Sequence, residues 1–173
     1  MFNNARHALI WAYTAAETQI VELSSVYRMQ EQPFVGAGNA LVADVSVQER
    51  HMQAAQILGL VARLPDPAAR EYIGAAFGHR TQPDQVRVLT FRCCDDLGLP
   101  MAGIPAVYLL LKSYFGRSGK LPYRAVRQIL RCSNQYALMV KGCLYDSLDL
   151  IHQHAMRELE EGLERDGLVR AAA

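Results

Sequence analysis

Three groupings of side chains in this sequence could do chemistry. Cys132 with His152 or His154 would pair a thiol with a base; Cys93, Cys94, Cys132 and Cys143 with His51, His79, His152 and His154 are the donor types of a zinc site. The third grouping is Arg117, Lys120, Arg124, Arg127, Arg131 and Lys141 around Ser133, Asn134 and Gln135. The first fails on distance: on one continuous helix Cys132 and His152 stand about 30 Å apart at 1.5 Å per residue, beyond any proton transfer. The zinc reading fails on spacing, because the chain has no C-x-x-C pair and the adjacent Cys93 and Cys94 diverge on a helix. Gly116-Arg-Ser-Gly-Lys120 lacks the spacing and the preceding strand of a phosphate-binding loop. No poised acid–base set emerges, so the sequence implies no enzymatic activity, no metal and no cofactor. The four thiols read as reduced core residues.

The third grouping stands out through charge. The chain of 173 residues carries 18 Lys and Arg against 17 Asp and Glu, a formal net charge of +1. That near-neutral total conceals a segregation. Residues 97–145 contain no acid and seven cations, Lys112 together with the six named above. Residues 146–166 reverse the sign, with seven acids against Arg157 and Arg165. Such a division suggests a basic face for a polyanion and an acidic one held away from it. Arg and Lys bind nucleic acid by neutralising phosphates and releasing counterions, while Asn and Gln pair bidentately with adenine. The plainer reading is a solvated helix whose bases pair with the acidic helix that follows.

The elements that must position these residues are helical throughout, which makes the fold class all-α. With 51% hydrophobic residues the chain can bury a core, which excludes intrinsic disorder. No apolar run is long enough for a bilayer, since Pro100, Gly103 and Pro105 interrupt the densest one, and the N-terminus lacks the build of a signal peptide. A cytoplasmic protein without a membrane partner is the expectation. Residues 1–45 read as an N-terminal helix, over about 5–29, followed by a loop arm, and residues 46–173 as one helical domain.

Within that domain, Ser46 and Glu49 form a capping box for a helix over 47–64, with Ala54, Ile57, Leu58 and Val61 inward. Asp66 and Pro67 open a third helix that stops at Gly78 and forms a hairpin with the second. A fourth helix runs from about Pro83 through Val86, Val88, Leu89 and Phe91 to Gly98, and a fifth from Ile104 to Phe115. A short sixth helix spans 122–130. Ser133 then caps a long final helix, whose stripe Ala137, Val140, Leu144, Leu148, Ile151, Ala155, Leu159 and Leu163 repeats every three or four residues. Trp11, Tyr13 and Tyr27 read as core anchors.

The sixth helix, its break and the start of the last helix fit a helix-turn-helix over 123–142. Val126 and Leu130 face inward, Cys132 is the apolar turn residue, and Ala137 with Val140 anchor the second helix. Its outward N-terminal residues Ser133, Asn134 and Gln135, with Met139 and Lys141, would enter a major groove about 12 Å wide. Two positions depart from the pattern. Arg127 stands where a small residue normally lets the helices approach, and Arg131 where glycine normally makes the turn. A left-handed Arg131 would cost roughly 1 kcal/mol, which favours a variant turn.

The segment Tyr123-Arg-Ala-Val-Arg-Gln-Ile-Leu-Arg-Cys-Ser-Asn-Gln, after a helix ending Tyr114-Phe-Gly, resembles the helix-turn-helix of sigma-factor region four. It resembles more closely the phage late-gene antiterminators of the Q type, which carry a similar Arg-Ala-(Ile/Val) run leading into Cys-Ser. Ile57-Leu-Gly-Leu-Val-Ala-Arg-Leu-Pro with Arg70-Glu-Tyr-Ile-Gly-Ala-Ala-Phe-Gly is similar to the helix pair preceding that motif. The resemblance implies a prophage or mobile-element regulator that binds double-stranded DNA near a promoter and contacts RNA polymerase. It carries DNA contacts to Lys120, Arg124, Arg127, Ser133, Asn134 and Gln135; the zinc site of some members has no match here. The alternative is a protein-binding module, with the stripe from Leu144 to Leu163 serving a homo-oligomer or another partner.

Overall fold

A computed structural model describes residues 2–24, 47–78, 82–116 and 123–169. These residues form α1 (Ala5–Ser24), α2 (Val47–Ala62), α3 (Pro67–Phe77), α4 (Pro83–Asp96), α5 (Ile104–Phe115), α6 (Tyr123–Leu130) and α7 (Asn134–Arg165), with one 3₁₀ turn before α5. The only β contact among them is an isolated parallel bridge between Phe2 and Val169, so the fold is all-α. No described helix is long and apolar enough to cross a membrane. The Ser46 cap, the loop over 32–44, Tyr27, His79 and Pro122 lie outside the described residues.

Local signals set the helix ends. The Asp66 carboxylate accepts from the Ala68 amide at 2.8 Å with Pro67 in the first turn, and Ser133 Oγ accepts from the Tyr136 amide at 3.2 Å. Both satisfy amides that a helix start leaves unpaired. Helices α4 and α7 close through a left-handed glycine, Gly98 (φ +59°) and Gly167 (φ +69°). In each the next amide reaches back across the last turn, Leu99 to the Cys94 carbonyl at 3.0 Å and Leu168 to that of Leu163 at 2.8 Å. This is the Schellman closure, in which a residue without Cβ turns the chain at no steric cost.

The long helix α7 is the spine. All eight apolar residues of its expected stripe are buried, and α1, α2, α3, α4 and α6 pack around it. Each fully buried leucine there contributes about 1.5–3 kcal/mol. Helix α1 inserts Ala5, Ala8, Leu9 and Ala12 into the same core. It packs chiefly on α2, whereas α3 packs chiefly on α4 and α7, so the expected α2–α3 hairpin is a minor contact. Small residues on α1 allow that approach. Trp11 and Tyr13 are half-buried against the core, while Val88 and Phe91 of α4 face solvent.

The thiols divide. Cys93 and Cys94 are buried, but Cys132 is half-buried and Cys143 exposed, which corrects the expectation of four core thiols. Burial pushes the Cys93 thiol up to about 12, with the nearby Asp96 charge adding to the shift. Asp96 has two partners, Arg92 Nε at 3.1 Å and the Ser147 hydroxyl, which donates at 2.8 Å.

Candidate nucleic-acid interface

Helix α6 is fixed by one fully buried side chain, Val126, with Ile129 and Leu130 packed partly against the core. Residues three and four apart share a helix face, so its outer face carries Arg124, Arg127, Gln128 and, just beyond the end, Arg131. All four are exposed. Arg92 pairs with Asp96, whereas Arg124, Arg127 and Arg131 have no acidic partner among the described residues. The first acid of the last helix is Asp146, about 18 Å along the axis from Asn134. For these three arginines the pairing of bases with the acidic helix, open on the sequence alone, does not occur.

The turn after α6 departs from expectation. Arg131 has φ +48°, the only non-glycine residue with positive φ among those described. The Cys132 amide donates to the Arg127 carbonyl at 3.2 Å, the same backward bond that closes α4 and α7 over glycine. The chain therefore makes the glycine-type turn with an arginine, not a variant that avoids it. Arg127 raises no obstacle to helix approach, because its side chain points to solvent.

Beyond the turn, Ser133, Asn134 and Gln135 are exposed at the start of α7. The Ser133 hydroxyl is engaged as the helix cap, so Asn134 and Gln135 hold the free polar groups. Lys141 sits apart from the other cations. It is half-buried, with its ammonium 4.9 Å from the Tyr145 ring centre and 5.9 Å from that of Tyr123, a cation–π position that ties α6 to α7. Tyr145 in turn meets Tyr114 edge-on at 5.0 Å, and the Tyr114 hydroxyl lies 3.1 Å from that of Tyr72. Arg117 and Lys120 lie outside the described residues.

No protein-family model matches this chain, and no curated protein matches it. The surface must be read from its own geometry.

Three exposed residues on it, Gln128, Tyr136 and Leu138, escaped sequence reasoning. Gln128 follows Arg124 by four and Leu138 follows Asn134 by four, so helical spacing alone could have placed both outward. The histidines also sort by structure: the His152 ring packs on Tyr72 at 5.5 Å between centres, whereas His154 is exposed. No described group of His, Cys, Asp and Glu is arranged to hold a metal ion.

Proposed function

We propose that the protein binds duplex DNA with α6, the turn at Arg131 and the start of α7 acting as a helix-turn-helix, and that it regulates transcription. Its closest functional type is the phage or mobile-element regulator that works on RNA polymerase as a late-gene antiterminator. The observation carrying this reading is the face of three exposed guanidiniums without acidic partners beside two exposed amides. Charge of that kind grips phosphates, and amides at the start of a groove-sized helix reach base edges. The acidic far half of α7, with Glu160, Glu161 and Glu164 exposed, is repelled by phosphate and suits a basic surface of the polymerase.

The rival reading, a protein-binding or oligomerisation module, draws no support from the apolar stripe of α7, which is buried in the chain's own core.

Fluorescence anisotropy on a labelled promoter-proximal duplex, with and without polymerase and across a salt series, tests the proposal. Binding should weaken steeply with salt, and Arg124→Ala with Arg127→Ala should reduce the log–log slope by roughly 2. Binding to every duplex left unchanged by the double substitution would refute it.

A further inference from the structure

We infer that this interface selects A·T base pairs, with Leu138 and Met139 packing on thymine methyl groups beside Asn134 and Gln135 on adenine. The inference rests on the DNA-binding reading and adds the class of site that is bound.

Its basis is the surface that α7 leaves uncovered. Ala137, Val140 and Leu144 turn into the core, so the exposed positions of the first two turns are Asn134, Gln135, Tyr136, Leu138 and Met139. Leu138 and Met139 are each 54% exposed and pack against no part of the core. A helix whose apolar stripe is already buried gains nothing in folding from two further large apolar residues in water.

Base edges in the major groove differ in what they ask of a protein. Guanine presents two acceptors, met by Arg or Lys; cytosine presents an amino donor, met by a carboxylate. Adenine presents a donor beside an acceptor, met by Asn or Gln, and thymine a methyl group, met by an apolar side chain. The exposed face of the first two turns of α7 holds no cation. The three exposed arginines belong to α6 and its turn, and the first cation of α7, Lys141, keeps its ammonium over Tyr145. No carboxylate precedes Asp146. Of these five exposed side chains Asn134 and Gln135 match adenine, Leu138 and Met139 match thymine, and none is the cation or carboxylate that guanine and cytosine usually meet. Guanidiniums without acidic partners on α6, which packs on α7, favour a polyanion bearing methyl groups over an apolar protein groove.

The test begins with selection of bound sequences from a pool of random duplexes by the full chain at low salt. Thymines of the enriched duplex are then replaced one at a time by deoxyuridine, which removes the methyl and keeps the pairing. The enriched site should be A·T at its central positions, and each contacted thymine should cost about fourfold in affinity when its methyl is lost, the factor for burying one such group. In the Leu138→Ala, Met139→Ala double variant that sensitivity should vanish, with an unchanged melting temperature reporting an intact fold. A G·C core in the enriched site, indifference to deoxyuridine, or thymine sensitivity that survives the double variant overturns the inference while DNA binding stands. Failure of every duplex in the pool to bind overturns both.

Discussion

Replacing Arg131 by glycine should make the protein more stable and a poorer ligand for DNA at once. At φ +48° an L side chain crowds its own carbonyl, at a cost of about 1–2 kcal/mol, and glycine removes that crowding. Glycine returns part of the gain by loosening the unfolded chain, about 0.5–1 kcal/mol. The net stabilisation is about 0.5–1 kcal/mol, a rise in Tm of about 1–4 °C for a chain of this size. The same substitution deletes one exposed cation, so the log–log salt slope of DNA binding should fall by about 1.

Arg131→Ala separates the two effects, since it deletes the charge and keeps the crowding. It should match the glycine variant in salt slope and melt near the wild type. Gly98→Ala and Gly167→Ala run the experiment in reverse. A Cβ at either would meet nothing within 4 Å, so each should lose stability through backbone strain alone. Calorimetry and anisotropy read the two quantities independently. Equal melting temperatures for Arg131→Gly and Arg131→Ala would refute the left-handed turn, and an unchanged salt slope in both would detach Arg131 from phosphate. A charged residue kept where glycine fits better is understandable if the charge is used.

Lys141→Ala should leave the salt slope of DNA binding as it is and lower stability by about 0.5–1 kcal/mol, the worth of a cation–π contact that water still reaches, measured by denaturant titration. Leu148→Ala, at a fully buried position of the spine, should cost about 2–5 kcal/mol by the same titration. Alkaline pH should weaken the fold through Cys93 and Tyr13. Burial raises both folded-state values to about 12, from 9.0 and 10.0, and the Glu71 charge adds to the Tyr13 shift. Above about pH 9 the unfolded chain releases these protons while the folded one holds them, so stability present below that pH is lost progressively towards 12. Denaturation midpoints at about pH 8 and about pH 10.5 would show the fall, and Cys93→Val should lessen it.

Short-range physics determined much of this protein in advance. Helix starts at Asp66-Pro67 and Ser133 and stops at Gly78, Gly116 and Gly167 are decided by groups no more than four or five residues apart, which a sequence displays directly. The stripe of α7 is equally local, because a repeat of 3.6 residues puts those side chains on one face whatever they meet. Helix partners are not local. That α1 rather than α3 covers α2, that Val88, Phe91, Leu138 and Met139 stay in water, and that Lys141 lies over Tyr145 each depend on which faces meet across the core. The Arg131 turn joins the two levels. Its local cost favoured another conformation, and the tertiary docking of Val126 on one side and Ala137 and Val140 on the other leaves the chain no room for one.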